Sequence, residues 1–303
     1  MNRLSVIEAV RRVVQVGFFV LFAGGIFGFK ARAVALPILL SRSAYGRTML
    51  GAYSTIELML SLPLFPLLPL AVFILTAVFL GRAMCGWLCP FGLLQDLLMP
   101  IKRRHRTISP KTHESLLAVK HWVLFVSLFT GATLAVSLLL GFGEEYRRSL
   151  GPLAPGIFTA LSPHESLFAL IPRLILSFEA ALPRLILMPM RTIREEVLGA
   201  PLIVWVKIVL LLLFLYLAID VPRFFCKYVC PAGALMSLMS RFSFLGINRN
   251  PVRCTKCRAC VEACPMNVKI MTLPGEKITD PECILCLRCI YACPEDALRL
   301  KFP

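Results

Sequence analysis

The feature that most constrains how this chain can fold is a pair of cysteine runs near its C-terminal end. Both runs have the form C-x2-C-x2-C-x3-C-P. Two-residue gaps allow a short loop to turn three thiols toward one point, and the proline after the fourth cysteine directs the chain away again. The sequence therefore predicts two compact cysteine loops, built from Cys254, Cys257, Cys260, Cys264, Cys283, Cys286, Cys289 and Cys293.

The spacing of these runs is typical of iron–sulfur ligation. It resembles the two-cluster bacterial ferredoxins, in which the fourth cysteine of each run ligates the cluster of the other run. The resemblance implies two [4Fe–4S] clusters, one held by Cys254, Cys257, Cys260 and Cys293 and the other by Cys283, Cys286, Cys289 and Cys264. Zinc sites favour separated C-x2-C pairs, and disulfides are rare in a reducing cytoplasm, so both alternatives fit less well.

The rest of the chain is too apolar for a soluble globular protein. Hydrophobic residues make up 58% of the 303 residues, and the mean hydropathy is +0.77. A bilayer-spanning helix needs about 20 apolar residues. Four runs approach or exceed that length, and we predict four transmembrane helices from them: Val13–Phe29, Leu64–Met84, Ala118–Leu140 and Leu202–Ile219.

The charge distribution predicts how these spans are oriented. The formal net charge of +16 would suit a nucleic-acid-binding protein, but apolar runs separate the basic residues. Positive loops beside membrane spans are expected on the cytoplasmic side, so we place the basic loop 102–111 there and predict no nucleic-acid partner. Four spans then put both termini and the cysteine runs in the cytoplasm, in a multi-pass protein of the cytoplasmic (inner) membrane that contacts lipid.

The segments outside the predicted spans carry three further expectations. The first span could instead be a signal peptide, but its apolar run is long for one, and we favour an uncleaved helix. Residues 30–62 are predicted to form an extramembrane loop. Residues 141–200 mix proline, glutamate and arginine with short apolar patches, which favours short helices on the outer membrane surface.

An internal repeat places the remaining four cysteines. Each copy consists of two predicted spans followed by R-x2-C-x3-C-P-x-G-x-L, and the copies contain Cys85 and Cys89 in the first and Cys226 and Cys230 in the second. Since two spans separate the motifs, both should emerge on the same membrane face, as in parallel repeats. Cysteines at i and i+4 share one face of a helix, so each motif would offer a pair of thiols.

The chemistry of these four thiols has three interpretations. They could hold a further iron–sulfur centre or another soft metal, act as a redox-active dithiol, or serve as small packing residues at a helix end. The arginines three residues before each pair, Arg82 and Arg223, are expected to anchor the ends of the spans at the lipid headgroups. The alternative is that they raise the potential of a nearby anionic cluster.

The predicted architecture therefore has two domains. Residues 1–247 form an all-α membrane domain of four helices in two parallel repeats, with the two C-x3-C-P motifs on its cytoplasmic face. Residues 248–303 form a small cytoplasmic α+β domain that binds two clusters like a ferredoxin.

The combination of spans, C-x3-C-P motifs and a two-cluster segment resembles the NapH/MauN-type membrane ferredoxins. That family includes the quinol-dehydrogenase membrane subunit of periplasmic nitrate-reductase systems, and the resemblance covers nearly the whole chain. NosR-like proteins add an outer flavin-binding domain and CcoG-like proteins add a C-terminal β-domain. We expect neither here, because no stretch is long enough for the first and the sequence stops at Pro303.

The resemblance implies a function in electron transfer between the quinone pool and a partner oxidoreductase, with a functional role for the C-x3-C-P cysteines. The chain shows no catalytic residues of its own, so we expect the electron-transfer subunit of a quinol-oxidising complex. Two other classes stay open: a copper-reducing assembly factor, and a membrane-bound redox sensor that signals through its clusters.

Overall fold

The computed structural model describes residues 3–22, 49–102, 108–167, 201–271, 277–278 and 280–302. Up to residue 240 the regular secondary structure of the described residues is helical, and a small α+β unit follows. The helices of the first part are α1 Arg3–Phe22, α2 Met49–Ser61, α3 Leu67–Leu80, α4 Ala83–Trp87, α5 Pro90–Leu98, α6 Pro110–Leu139, α7 Gly143–Leu150, α8 Ile157–Leu161, α9 Pro163–Glu165, α10 Leu202–Asp220, α11 Phe224–Tyr228 and α12 Pro231–Ser240. The second part contains β1 Gly246–Arg249, α13 Ala259–Glu262, β2 Lys277–Ile278, α14 Arg288–Ala292 and β3 Leu298–Lys301.

Two of the described helices, α6 and α10, are long and apolar enough to cross a membrane. They coincide with the third and fourth predicted spans. The Ser109 side chain caps the start of α6 by accepting a hydrogen bond from the Thr112 amide, and Pro110 occupies the first turn, where no intrahelical amide donor is needed. Exposed aromatic side chains such as Trp122 and Phe125 give α6 an apolar outer surface that suits lipid.

The first two predicted spans differ from the described helices. The α3 helix is apolar but has only 14 residues, which is short for a bilayer. The α1 helix ends at Phe22 within the described residues, and the rest of the predicted first span lies outside them. Four crossings therefore remain a prediction.

The prediction of a loop over residues 30–62 is wrong for its last part, where α2 forms a helix that packs against α6. Tyr53 and Ile56 of α2 are buried, and the Tyr53 hydroxyl bonds the Ser127 hydroxyl of α6. Leu60 packs so closely on Gly131 that a Cβ there would lie 3.2 Å from the Leu60 Cβ. Small residues permit such close approach of helices. Of the predicted surface helices at 141–200, residues 168–200 lie outside the described part.

The C-x3-C-P motifs do not form one continuous helix, contrary to the prediction that both cysteines share a helix face. The first cysteine of each pair lies in α4 or α11, whereas Cys89 and Cys230 cap the next helix with extended backbone angles. The cause is the following proline: its ring disfavours helical geometry at the preceding residue. Pro90 and Pro231 then start α5 and α12, where a missing amide donor costs nothing.

The C-terminal unit is a three-stranded antiparallel sheet with strand order β2-β1-β3. The central strand pairs Ile247 with Ile278 on one side and with Leu300 on the other. Ile247 and Ile278 are buried and belong to the apolar core of the unit.

Candidate iron–sulfur sites

The eight cysteines of the C-terminal runs lie around two separate cavities. One cavity is lined by Cys254, Cys257, Cys260 and Cys293. The other is lined by Cys264, Cys283, Cys286 and Cys289. Each therefore combines three thiols of one run with the fourth thiol of the other, which is the grouping that the ferredoxin resemblance implies. We refer to them as the outer cavity and the inner cavity.

The two cavities differ in their surroundings. Cys257 of the outer cavity is exposed, and the charged residues Lys256, Arg258 and Glu295 contribute to its lining. The inner cavity is lined, apart from its cysteines, by apolar side chains: Ile247, Met266, Val268, Ile270, Ile278, Ile284 and Leu287. A cluster in the inner cavity would thus be shielded from water, whereas one in the outer cavity would approach the surface.

The backbone of the two cysteine loops repeats the same unusual conformation. Lys256 and Arg258 have φ of 58° and 65°, and the equivalent Leu285 and Leu287 have φ of 48° and 61°. Alternating right- and left-handed residues turn successive amide N–H groups into a concave surface that binds anions. This conformation is costly for residues other than glycine, and strain of this kind concentrates at functional sites.

The two cysteine runs also share the same pattern of amide hydrogen bonds to sulfur. The Val268 amide donates to Cys264 Sγ at 3.5 Å, and the Ala297 amide donates to Cys293 Sγ at 3.4 Å. In both cases the acceptor is the fourth cysteine of a run and the donor lies four residues later. Such bonds favour a charged thiolate over a neutral thiol.

The donor set fits an iron–sulfur cubane better than a single metal ion. Within the described ranges, no three histidine, cysteine, aspartate or glutamate side chains are placed to hold one ion. In a cubane the four thiolates bind four different irons, so their sulfur atoms lie farther apart than the ligands of a single metal ion. Burial raises the pKa of Cys264 to about 11 and that of Cys283 to about 12, so these thiols ionise at neutral pH only when a cation binds them.

The structure brings the two C-x3-C-P motifs together. Cys85, Cys89, Cys226 and Cys230 are all buried, and thiols of the two motifs interact electrostatically with one another. Gln95 Nε2 from α5 donates to Cys226 Sγ at 3.0 Å. Cys85 Sγ lies 3.9 Å from the Met236 sulfur of α12.

The arginine of each C-x3-C-P motif forms a hydrogen bond with the motif of the other repeat. Arg82 Nη2 donates to the Cys226 carbonyl at 3.4 Å, and Arg223 Nη1 donates to the Cys85 carbonyl at 3.0 Å. The motif glycines make room for them: a Cβ at Gly233 would lie 2.9 Å from Arg82 Nη2. This exchange of contacts follows the pseudo-symmetry of the sequence repeat.

The expectation that Arg82 and Arg223 anchor the spans at lipid headgroups is wrong. Both side chains are 0% exposed. Arg82 Nη1 pairs with Glu282 Oε2 at 2.7 Å, and Arg223 Nε donates to Asp96 Oδ1 at 2.8 Å. The arginines turn inward because buried carboxylates and carbonyl oxygens satisfy them there.

Comparisons with known proteins indicate iron–sulfur binding in the same regions of the chain. A family model described as a 4Fe-4S binding domain matches residues 62–109 and again 201–249, so that each match contains one C-x3-C-P motif. A model described as a 4Fe-4S dicluster domain matches residues 253–298. No solved structure matches the chain.

Three curated relatives illustrate the similarity. The uncharacterized protein MJ0749 of Methanocaldococcus jannaschii is 27% identical over 70% of this chain and 61% of its own length. The putative electron transport protein YccM of Escherichia coli is 24% identical over 67% of this chain and 47% of its own length. The methylamine utilization ferredoxin-type protein MauN of Paracoccus denitrificans is 39% identical over 23% of this chain and 25% of its own length. The chain thus matches less than two thirds of each of these relatives.

The 4Fe-4S family matches, together with the similarity to YccM and MauN, support an iron–sulfur electron-transfer protein of the NapH/MauN type. Both of its thiol-lined regions therefore have iron–sulfur counterparts among known family models, including the C-x3-C-P region that sequence spacing alone left open.

Charged residues that the sequence analysis missed surround these sites. Five buried cations lie near the thiols or pair with a carboxylate beside them: Arg11, Arg82, Lys120, Arg223 and Lys227. Only two buried carboxylates, Asp96 and Glu282, pair with these cations in the described ranges. An acidic residue directly before Cys283 was the one local signal for this network.

This surplus of buried positive charge favours an anionic partner. Taking an unpaired charge out of water costs several kcal/mol, so buried ions need counter-charges. Arg223 interacts with both Cys226 and Cys286, and Arg82 interacts with Cys85 and Cys230. Ligated iron–sulfur centres are anionic and would supply the missing negative charge.

The inner cavity lies directly against the first C-x3-C-P motif. Trp87 Nε1 donates to the Leu285 carbonyl at 2.9 Å. The chain passes so close to Gly86 that a Cβ there would overlap with the Ile284 carbonyl oxygen. The cysteine loop of the inner cavity is thus held against the four buried thiols, and the outer cavity lies on the exposed end of the unit.

Proposed function

We propose that the chain passes electrons between the quinone pool and a partner oxidoreductase, as the membrane-bound electron-transfer subunit of a quinol-oxidising complex. The 4Fe-4S family matches and the electron transport name of YccM support iron–sulfur electron transfer. The apolar surfaces of α6 and α10 support a location in the membrane. In this proposal four helices in two parallel repeats cross the cytoplasmic membrane, and both termini and the ferredoxin unit lie in the cytoplasm.

The cofactors follow from the two cavities. We assign one [4Fe–4S] cluster to Cys254, Cys257, Cys260 and Cys293, and a second to Cys283, Cys286, Cys289 and Cys264. When bound, such clusters supply one-electron transfer. The protein contributes the apolar lining that excludes water from the inner site and the amides that donate to sulfur.

The four buried thiols of the C-x3-C-P motifs are proposed to hold a further metal or iron–sulfur centre that serves as a relay. The observation that carries this step is the surplus of buried cations beside Cys85, Cys89, Cys226 and Cys230. Thiols that merely filled space would leave the excess of these cations over Asp96 and Glu282 without counter-charge. The match of both motif regions to a 4Fe-4S binding domain points the same way.

In this proposal the sites are ordered from the membrane to the solvent. The C-x3-C-P thiols lie closest to the helices, the inner cavity contacts them through Trp87 and Gly86, and the outer cavity ends at the exposed Cys257. Quinol would react on the membrane side, and the partner protein would dock near Cys257.

The proposal can be tested with the purified full-length protein in liposomes that contain menaquinone. The clusters are reduced with dithionite, and their re-oxidation is followed by absorbance and EPR. We expect menaquinone to re-oxidise the wild-type protein, and ferricyanide to do so from the aqueous phase. A variant with serine at Cys85, Cys89, Cys226 and Cys230 should lose the reaction with menaquinone but keep the reaction with ferricyanide. Failure of the wild-type protein to react with any lipid-soluble quinone would contradict the proposal.

A further inference from the structure

Lys227 lies inside the second C-x3-C motif, between Cys226 and Cys230, and its environment is unusual for a lysine. The side chain is 0% exposed. Its Nζ atom has no hydrogen-bond partner among the residues that the structure describes, and the nearest aromatic contact is the Tyr228 ring, whose centre is 5.6 Å away. Burying an ammonium group without a partner costs free energy, so we expect a negatively charged group to lie near Lys227 in the functional protein.

The charges around Lys227 indicate where that ligand lies. Its ammonium interacts favourably with Cys264 and Glu282. Glu282, however, is already engaged by Arg82 and Lys120, which leaves Cys264 as the neighbour without another cation bonded to it.

Cys264 lines the inner cavity together with Cys283, Cys286 and Cys289. The ammonium of Lys227 therefore acts on the inner cavity from the side of the second repeat. In the first repeat the equivalent residue is Gly86, and the Ile284 backbone of the same cavity occupies the space where its side chain would be. The two repeats thus contact the inner cavity differently. In the first repeat Gly86 leaves space for the cysteine loop, and in the second repeat Lys227 places a positive charge near the cavity.

We propose that Lys227 sets the reduction potential of the [4Fe–4S] cluster bound by Cys264, Cys283, Cys286 and Cys289, by stabilising its reduced form. This inference rests on the proposed function, because it requires a cluster in the inner cavity. Reduction adds one electron from the quinol side and makes the cluster more negative, no bond is formed or broken, and Lys227 keeps its proton. A cation held in an apolar surrounding stabilises the additional negative charge, because little water screens it.

Other cations near the inner cavity act in the same direction but are differently placed. Arg11 and Arg223 interact with Cys286, and both are paired with Asp96, which offsets much of their field. Arg288 is paired with Glu8 at 2.6 Å. Lys227, in contrast to Arg11, Arg223 and Arg288, has no bonded carboxylate in the described ranges.

The test is an anaerobic redox titration of the full chain in detergent, followed by EPR. The signal of the inner cluster is identified by its loss in Cys286→Ser. In Lys227→Met we expect the inner cluster to be harder to reduce. Its reduced-to-oxidised ratio, measured at the midpoint potential of the wild-type protein, should fall about tenfold. One unit charge has an effect of this size across roughly 10 Å at an effective dielectric constant of about 20. Lys227→Arg should restore the wild-type ratio.

The matched control is Lys301→Met, which removes an exposed lysine from β3, outside the lining of both cavities. It should leave the inner signal unchanged. An unchanged midpoint in Lys227→Met would overturn the inference, as would an equal shift in the control. Lys227→Gln replaces the methionine variant if the latter does not bind iron. Absence of [4Fe–4S] signals from the wild-type protein would instead contradict the proposed function, so the two failures are distinguishable.

Discussion

The buried carboxylate of Glu282 joins the ferredoxin unit to the helices, and its removal should loosen that junction. Glu282 pairs with Arg82 at 2.7 Å and with Lys120 of α6, and both cations are 0% exposed. In Glu282→Gln two buried cations lose their counter-charge. Removing one partner of a buried pair costs about 3–5 kcal/mol. Since about 1.4 kcal/mol is a factor of ten, local opening of the junction should become at least roughly a hundred times more frequent.

Hydrogen–deuterium exchange of the peptide that contains residues 280–293 measures this opening. The control is Glu114→Gln, because Glu114 also links α6 to the ferredoxin unit through Lys269, at 2.7 Å, but that pair is exposed. Exposed pairs contribute little to stability, so the control should exchange like the wild-type protein. Equal protection of this peptide in Glu282→Gln and Glu114→Gln would refute the reasoning.

Two other substitutions test the junction and the ligand grouping. Gly86→Ala should displace the inner cysteine loop, because the added Cβ would overlap with the Ile284 carbonyl oxygen. It should therefore alter the EPR signal of the inner cluster alone. The control is Gly17→Ala, whose added Cβ meets no atom within 4 Å, and it should change neither signal. Cys264→Ser should perturb the same EPR signal as Cys286→Ser, although the two cysteines belong to different runs. Loss of the other signal would contradict the crossed grouping.

Much of the cysteine geometry could be predicted from spacing, because short gaps and prolines constrain the chain locally. The crossed grouping of the eight cysteines, which the ferredoxin resemblance implies, and the proximity of the two C-x3-C-P motifs, which the repeat predicts, both correspond to the arrangement in the structure. The break after α4 and α11 could also have been read from sequence, since Pro90 and Pro231 disfavour helix at the residue before them.

The charged network could not be predicted in the same way. Arg82 and Glu282 are 200 positions apart, and their pairing depends on how the ferredoxin unit rests on the helices. A positive residue at the end of an apolar run is more often a headgroup anchor, so local pattern favoured the wrong interpretation of Arg82. The packing of α2 was missed because its apolar face is short, although Tyr53, Ile56 and Leu60 follow helical spacing.

The most direct test of the account is the iron and acid-labile sulfide content of anaerobically purified protein, together with EPR of the reduced state. Two [4Fe–4S] clusters contain eight irons, and the account predicts more than this in the wild-type protein. The variant with serine at Cys85, Cys89, Cys226 and Cys230 should lose the additional metal and one distinct signal while retaining both ferredoxin signals. Identical metal content and spectra in the two proteins would contradict the relay at the C-x3-C-P motifs, and fewer than about eight irons in the wild-type protein would contradict the two-cluster assignment itself.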